Sequence, residues 1–252
     1  MPGAEAKNKK KPTGRGTVTA QAAYAVDYTN RKVLFSRNPR MKFYPASTTK
    51  LLTALVVLDK LGLDARVSVS RNAFNASPTK AGLTCGATYS VRDLLKVLLA
   101  TSANDAGVAL AEAAAGSERL FARMMNQKAR ALGAFDSHFE NATGLPDRRQ
   151  VTTAYDLSVI TRAALSNAFV AGVMKQKMVS IRGNDNKQIE GPNHNKLLWR
   201  IDEPCVLGKT GYTRAAGHCY AGIAYYDDRR VSVVILKSRK PWRDICLILG
   251  GK

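Results

Sequence analysis

Strand-type segments occupy the two ends of this sequence, and helix-type segments occupy its middle. Near the start, residues 19–28 and 32–36 are apolar runs joined by a short polar turn, a pattern typical of a β-hairpin. Near the end, residues 205–210, 219–225 and 231–237 are similar runs. A sheet built from both ends encloses everything between them. We therefore predict an α+β fold in which one antiparallel sheet, flanked by helices, carries an inserted all-helical lobe.

Helical periodicity dominates the central segment, residues 72–186, and also marks residues 50–61, which end at Gly62. Further helices are predicted at 91–99, 106–115, 118–132, 156–165 and 241–250, with a loop at 141–150, a weak strand at 178–182 and a hairpin turn at 226–230. We expect one domain over residues 17–252. Its sheet lobe would cover about 17–70 and 178–252, and its helical lobe about 71–177.

The chain is strongly basic, with 39 lysines and arginines against 19 acidic residues and a formal charge of +20. The charge is spread along the chain and follows no recognisable nucleic-acid-binding module, so we expect an anionic envelope surface as a partner and no nucleic acid. Residues 1–16 carry basic side chains without the apolar run of a signal peptide. We expect a basic disordered leader there and no export signal in this chain.

The four cysteines, Cys85, Cys205, Cys219 and Cys246, include no C-x-x-C pair, which argues against a zinc site. They fit two disulfides in any of three pairings, or buried thiols that act as small apolar side chains, and we favour the second. P-loop, dinucleotide-binding, H-E-x-x-H and G-x-S-x-G patterns are absent from the sequence. We predict neither a metal nor a cofactor.

Ser47 and Lys50 form an S-x-x-K pattern at the start of the predicted helix 50–61. Residues three apart share a helix face, and a lysine that loses its proton by burial beside another cation can accept the proton of a serine hydroxyl. The pattern recurs at Ser77 and Lys80, but a glycine-containing, non-helical sequence follows it there. Only Ser47 has the context of a nucleophile, and the plainer interpretation of this serine is a helix N-cap.

Two further short patterns lie where a cleft is expected. S-A-N at residues 102–104 falls in a break between two predicted helices, where a hydroxyl and an amide can face a cleft or simply cap a helix. K-T-G at residues 209–211 ends a predicted strand. A cation and a hydroxyl can hold a carboxylate, and the glycine allows close approach of another backbone. An extended peptide can then lie along this strand as an added edge.

In this order, the three patterns resemble those of penicillin-binding proteins and class A β-lactamases. The resemblance to low-molecular-mass serine D-Ala-D-Ala carboxypeptidases runs from about residue 20 to the C-terminus. It is carried by YPASTTKLLTAL (44–55), TSANDAG (101–107), NATGLPD (141–147), TTAYDLSVI (152–160) and NHNKLLW (193–199). It implies a β-lactamase/DD-peptidase-like fold and an enzyme that works outside the cytoplasm, in the cell envelope or secreted.

The resemblance also implies a reaction: removal of the terminal D-alanine from peptidoglycan stem peptides that end in D-Ala-D-Ala. Ser47 would attack the carbonyl, Lys50 would take its proton and Ser102 would relay a proton to the leaving amine. The oxyanion hole would be formed by the backbone N–H groups of Ser47 and Tyr212, and β-lactams would acylate Ser47. Substrate binding is assigned to six residues: Asn104, Lys209, Thr210, Gly211, Tyr212 and His194.

Two departures from the family pattern stand out. His194 occupies a position where family members carry an arginine that helps to hold the carboxylate, so substrate affinity and pH dependence are expected to differ. Family members often carry a β-rich domain and an amphipathic anchor after the catalytic domain, whereas this sequence ends at Lys252, soon after its last predicted helix. We expect the basic surface to replace the anchor.

Two alternatives to a carboxypeptidase stay open. A class A-like β-lactamase would need a glutamate in an E-x-x-L-N pattern, which this sequence lacks, and Glu140 is the only glutamate near the corresponding region. A non-catalytic module would bind β-lactams or peptidoglycan without releasing D-alanine. The lifetime of the penicilloyl-enzyme separates the first alternative from a carboxypeptidase, and D-alanine release separates the second.

Overall fold

The structure is a computed structural model that describes residues 17–199, 205–226 and 229–250. The predicted leader at residues 1–16 and the centre of the predicted turn at 226–230 therefore lie outside the described residues. The strands are β1 (Ala22–Asp27), β2 (Lys32–Arg37), β3 (Arg66–Ser68), β4 (Thr88–Ser90), β5 (Met178–Arg182), β6 (Gln188–Pro192), β7 (Cys205–Thr213), β8 (Gly217–Tyr226) and β9 (Arg229–Ser238). The helices are α1 (Lys50–Lys60), α2 (Arg71–Phe74), α3 (Val91–Ala100), α4 (Asn104–Ala115), α5 (Glu118–Ala131), α6 (Ala154–Ser166), α7 (Ala168–Lys175) and α8 (Pro241–Ile248).

A five-stranded antiparallel sheet, in the order β2-β1-β9-β8-β7, joins strands from the two ends of the chain. Within it, Ala25 lies opposite Val233, so the first long strand pairs with the last one. Strand β7, which carries the K-T-G pattern, lies at one edge. The predicted α+β class and the sheet shared by both termini are confirmed.

Side-chain alternation along β9 explains why helices cover both faces of this sheet. Val233 and Ile235 pack against Ile245 of α8 on one face, whereas Val234 and Leu236 join the larger core on the other face. Successive strand residues point to opposite faces, and each fully buried side chain of this size contributes about 1.5–3 kcal/mol. A sheet with two apolar faces must be covered on both sides.

Helix α1 lies at the centre of the larger core. Its residues from Lys50 to Val57 are buried without interruption, which is typical of a helix surrounded on all sides. Helices α3, α4, α5 and α6 all contact it. The N-terminus of α1 meets β7, so the S-x-x-K and K-T-G patterns lie next to each other.

The segment between the two sets of sheet strands is not all helical. The short strands β3 and β4 pair with each other, and β5 pairs with β6, so that two small hairpins lie outside the main sheet. In β5, buried and exposed residues alternate, and the strand packs on α3. Of these four strands only β4 interrupts the range predicted for the helical lobe, so the prediction of an all-helical lobe is wrong there, and β5 confirms the strand predicted at 178–182. The limits of the two lobes stay a prediction.

The cysteines divide into two kinds. Cys219 and Cys246 are buried, as predicted, and burial raises the pKa of the Cys219 thiol to about 12. Cys85 is an exposed free thiol, because it lies in the tight turn before β4, so the prediction of a buried side chain is wrong there. The side chain of Cys205 lies outside the described part of the structure.

Two further observations concern only the described ranges. No single helix there is both long and apolar enough to cross a membrane, and α6 and α7 reach that length and composition only as a pair bent by 94°. No group of three or more histidine, cysteine, aspartate or glutamate side chains is placed to hold a metal ion among the same residues.

Candidate active site

Ser47 lies in a 3₁₀ turn, Ala46–Thr49, that leads directly into α1. Lys50 is the first residue of that helix, and its Nζ lies 3.0 Å from Ser47 Oγ. Gly211 of β7 passes so close that a Cβ atom on it would lie 2.9 Å from the backbone nitrogen of Ser47. Only glycine permits this approach without displacement, so the K-T-G glycine brings the strand alongside the serine.

Burial and two acceptors define the state of the Lys50 amine. Nζ donates to Asn104 Oδ1 at 2.7 Å and to the backbone oxygen of Thr143 at 2.5 Å. A neutral amine has two N–H groups, so these acceptors leave its lone pair facing Ser47 Oγ. Burial, reinforced by the positive charge of Lys209, holds the pKa of Lys50 well below its usual value. Lys50 is therefore placed to act as a base toward Ser47.

Thr143 is a site residue that the sequence prediction missed. Its carbonyl is oriented by Asn141, whose Oδ1 accepts from the backbone N–H groups of Thr143 at 3.2 Å and Gly144 at 2.8 Å. Gly144 has φ +85°, and a Cβ there would lie 1.9 Å from the oxygen of Ala46. The N-x-x-G spacing in the predicted loop was the available signal, because an Asx turn followed by a left-handed glycine fixes a carbonyl direction.

Ser102 lies where the sequence predicted it, in the break between α3 and α4, and Asn104 is the first residue of α4. Ser102 is buried and has φ +66°, a left-handed conformation that costs a non-glycine residue about 1–2 kcal/mol. Asn104 accepts from Lys50, and its Nδ2 donates to the backbone oxygen of Ser77 at 2.9 Å. The Asn104 amide thus connects Lys50 to the loop before β4. The contact of Asn104 with substrate stays a prediction.

Lys209 is the second buried lysine of the site. Its Nζ donates to the backbone oxygen of Thr210 at 3.1 Å, and burial lowers its pKa to about 7. Near neutral pH the amine therefore exchanges readily between its charged and neutral forms. A carboxylate that approached it would favour the charged form.

A cleft of about 310 Å³ opens above these groups. Of the nine residues assigned to the site from the sequence, three lie beneath its surface: Lys50, Asn104 and Lys209. The other six line the cleft: Ser47, Ser102, His194, Thr210, Gly211 and Tyr212. The structure therefore brings all nine together, in a volume typical of a small-ligand site.

Two histidines border the cleft. His218, which the sequence prediction missed, lies opposite Tyr212 on β8, and the two rings stack with centroids 4.7 Å apart. His194, at the position of the family arginine, is held through its backbone N–H, which donates to the oxygen of Ala100 at 3.0 Å. Desolvation, with the charges of Lys209 and Lys50, lowers the pKa of the His194 imidazole. At neutral pH it therefore lacks the permanent charge of an arginine.

A serine with a buried lysine one turn later, beside a K-T-G strand that lines the same cleft, defines a serine–lysine acyl-transfer site. The D-alanyl-D-alanine carboxypeptidase family, Peptidase S11, matches residues 5–240. The chain therefore belongs to this family.

Individual relatives agree with that membership. D-alanyl-D-alanine carboxypeptidase DacF of Bacillus subtilis is 30% identical over 95% of the chain, and the chain spans 63% of that protein's length. The solved structure of a D-alanyl-D-alanine carboxypeptidase from Mycobacterium tuberculosis has a TM-score of 0.85 at 30% identity, covering 96% of this chain and 94% of the other. The Streptomyces K15 DD-transpeptidase has a TM-score of 0.84 at 27% identity, covering 94% and 98%. These neighbours show the DD-peptidase fold.

Proposed function

We propose that this protein is a serine-type D-Ala-D-Ala carboxypeptidase that releases the terminal D-alanine from peptidoglycan stem peptides. The observation that carries the proposal is the 3.0 Å contact between Lys50 Nζ and Ser47 Oγ. In the neutral form that its lowered pKa favours, the amine has two N–H groups, for which Asn104 and Thr143 are the acceptors, and its lone pair is left for the Ser47 hydroxyl. Family membership supports the same reaction.

Acylation begins when Ser47 Oγ attacks the carbonyl carbon between the two D-alanines and its proton passes to Lys50 Nζ. The backbone N–H groups of Ser47 and Tyr212 would stabilise the oxyanion. As the C–N bond breaks, the hydroxyl of Ser102 passes a proton to the departing amine and is reprotonated by the proton that Lys50 took from Ser47, so that D-alanine leaves and Lys50 is neutral again. Water then attacks the ester carbonyl and gives a proton to Lys50, which returns it to Ser47 Oγ as the ester bond breaks and the shortened peptide is released.

The terminal carboxylate of the peptide would bind at Lys209 and Thr210, which lie within β7 because the strand continues past the predicted end to Thr213. Lys209 is buried and carries a pKa of about 7, so an incoming carboxylate both pairs with it and raises its protonated fraction. Strand β7 lies at the sheet edge, where an extended peptide can add alongside it.

β-Lactams are expected to acylate Ser47 because they present a reactive amide and a carboxylate in one small molecule. A β-lactamase would need a glutamate free to activate water, and Glu140 is already paired. Its Oε1 lies 2.8 Å from His138 Nε2 and 2.9 Å from Arg149 Nε. Glu140 is not among the described residues that line the cleft. It therefore offers no support for a deacylating base.

The substrate suggests where the protein works. We propose an extracytoplasmic location, because D-Ala-D-Ala stem peptides belong to the cell wall. The charge of +20 supports association with an anionic envelope surface and not with nucleic acid. Release of the protein from isolated envelopes as salt rises from 50 to 500 mM would be expected; retention independent of salt would contradict the electrostatic association.

The proposal is tested by mass spectrometry after incubation with penicillin, together with an assay of D-alanine release from a D-Ala-D-Ala peptide. The unmutated protein should form a stable adduct at Ser47 and release D-alanine. Ser47→Ala should lose both, whereas Ser77→Ala, which changes the serine of the second S-x-x-K pattern, should retain both.

Other results have distinct meanings. Rapid penicillin turnover without a lasting adduct would replace the carboxypeptidase with a β-lactamase. A stable adduct without D-alanine release would indicate a non-catalytic module. Transfer of the acyl group to an added D-amino acid, in excess over hydrolysis, would indicate a transpeptidase.

A further inference from the structure

A second cleft, of about 530 Å³, lies at the end of the sheet remote from Ser47. Gly211, beside the catalytic serine, pairs with Cys219 of β8, and Tyr225, in the second cleft, lies six residues further along that strand. At about 3.3 Å per residue, the separation is roughly 20 Å. The second cleft is therefore independent of the catalytic one.

Two arginines from different elements border this cleft: Arg162 of α6 and Arg230 of β9. Both are exposed, and neither lies within 4.0 Å of a carboxylate in the part of the chain that the structure describes, which leaves out Asp227 and Asp228. Two exposed guanidinium groups beside one concavity, with no described carboxylate within 4.0 Å of either, favour an anionic ligand. Their planar forks match the oxygens of a phosphate in particular.

The guanidinium of Arg162 and the backbone of Arg230 are each held in place. The Arg162 guanidinium lies 5.1 Å from the ring centroid of Tyr28, and the Tyr28 hydroxyl donates to the backbone oxygen of Ser158 at 2.9 Å. The backbone oxygen of Arg230 accepts from the Tyr28 N–H at 2.8 Å, and the Arg230 N–H donates to Thr29 Oγ1 at 3.3 Å. A cation fixed over an aromatic ring loses less rotamer entropy when it binds a ligand.

The rest of the lining suits a ligand with an apolar portion next to its charge. The side chains of Leu165 and Ile223 line the cleft from α6 and β8, and the half-buried ring of Tyr225 adds an aromatic surface. Bare inorganic anions would leave this area unused. A phosphate ester, with carbon atoms attached to the anion, would cover it.

We propose that this cleft is a phosphate-ester binding site, in which Arg162 and Arg230 hold the phosphate and Tyr225 contacts the group attached to it. The ester is carried either by a free soluble molecule or by a lipid headgroup, since both present the same chemistry. Such a site would hold the protein at a phosphate-bearing surface while the catalytic cleft, roughly 20 Å away along β8, stays open.

The experiment compares two double variants that each remove two positive charges. Arg162→Gln/Arg230→Gln changes the cleft, and Arg119→Gln/Arg123→Gln changes two exposed arginines on α5. Glycerol 3-phosphate is titrated by calorimetry at fixed ionic strength. Sedimentation with vesicles of phosphatidylcholine, with and without phosphatidylglycerol, is measured in parallel, and a thermal melt confirms that each variant is folded.

The proposal predicts saturable binding that the cleft variant weakens by about tenfold or more and the α5 variant by less than about twofold. If glycerol 3-phosphate shows this selectivity, a soluble phosphate ester is sufficient for binding to the cleft. The same selectivity with phosphatidylglycerol vesicles alone identifies the lipid headgroup. The proposal would be overturned if neither probe bound saturably, or if both variants weakened binding equally.

Discussion

The chain contains the S-x-x-K pattern twice, and only one copy has the surroundings of a catalytic pair. In the first copy, Lys50 is fully buried and its Nζ lies 3.0 Å from Ser47 Oγ. In the second copy, Ser77 and Lys80 are exposed, and Lys80 Nζ donates to the backbone oxygen of Phe74. The comparison shows that the S-x-x-K spacing alone does not make a catalytic pair and that burial of the lysine is also needed. A lysine in water stays protonated and cannot act as a base.

The two copies are also in contact, through Asn104. Its Oδ1 accepts from Lys50, and its Nδ2 donates to the backbone oxygen of Ser77. Thr79, in the second copy, lines the catalytic cleft. The second pattern therefore acts as part of the wall around the first, by its backbone and not by its hydroxyl or amine.

The largest expected effect comes from removing each lysine in turn. Lys50→Met should slow penicillin acylation by about 10²–10⁴-fold, the usual range for loss of a general base, because no other group faces the hydroxyl in the same way. Lys80→Met should change the rate by less than about twofold. Stopped-flow acylation kinetics with a chromogenic β-lactam would measure both, and similar losses in the two variants would remove the distinction between the copies.

Lys209→Met should have opposite effects on activity and stability. We expect kcat/KM for a D-Ala-D-Ala peptide to fall about 10–100-fold, because a charged partner of the carboxylate is lost. The protein should gain about 1–4 kcal/mol in free energy of unfolding at pH 7, because a buried amine is replaced by an apolar chain of similar length. Denaturant unfolding and peptide kinetics measure the two quantities.

The pH dependence of that gain follows from the pKa values. The folded-state pKa of Lys209 is about 7, below the unfolded value of about 10.4. Between these two pH values the unfolded chain binds more protons, so the stability of the unmutated protein rises with pH. The advantage of Lys209→Met should be complete below pH 7 and should vanish near pH 10.4. An advantage that did not change with pH would mean that desolvation is not its cause.

An intermediate effect is expected at Asp105, which holds the loop containing the second pattern. Its Oδ1 accepts from the Ala81 N–H at 2.9 Å, and its Oδ2 accepts from the N–H groups of Gly82 at 2.9 Å and Leu83 at 3.1 Å. Asp105→Ala should slow acylation about tenfold and cost about 1.5–3 kcal/mol of stability. Hydrogen exchange in residues 79–83 should rise with it. Asp64→Ala, at an exposed ion pair, is the control and should change none of the three.

Local patterns made part of this site predictable. Ser47 and Lys50 are three residues apart where a 3₁₀ turn runs into the predicted helix, so their contact follows from the spacing together with the helical context. Gly211 was predictable as a point of close approach because a glycine in a strand often marks a place where another backbone comes near, although the strand continues past it to Thr213. The order of elements along the chain was also enough to predict the main sheet, since a strand that ends a chain pairs readily with one that begins it.

Contacts that depend on backbone atoms or on distant pairing were not predictable. Thr143 contributes a carbonyl, which every residue type has, and lies far along the chain from Lys50. His218 lies at the cleft because the pairing of β7 with β8 places it opposite Tyr212, and this register is not visible in the sequence. Of the strands in the two small hairpins, only β5 was predicted, at 178–182. Strands β3, β4 and β6 have three to five residues, too few for a period to be distinguished from a loop.

The smallest expected effect concerns His194, which stands where family members carry an arginine. His194→Arg should lower KM for a D-Ala-D-Ala peptide about threefold at pH 8, because the imidazole, with its lowered pKa, is neutral there and a guanidinium is always charged. As pH falls below that lowered pKa, His194 becomes protonated and can itself pair with the carboxylate. The advantage of the arginine should therefore shrink as the pH is lowered through that pKa, and the unmutated protein should show the steeper rise of KM with pH. His194→Gln, which cannot be protonated, should match the unmutated protein at pH 8 and bind more weakly at a pH below that lowered pKa. If the arginine changed KM equally at both pH values, the proton on His194 would have no part in holding the carboxylate, and its role would be limited to shaping the wall of the cleft.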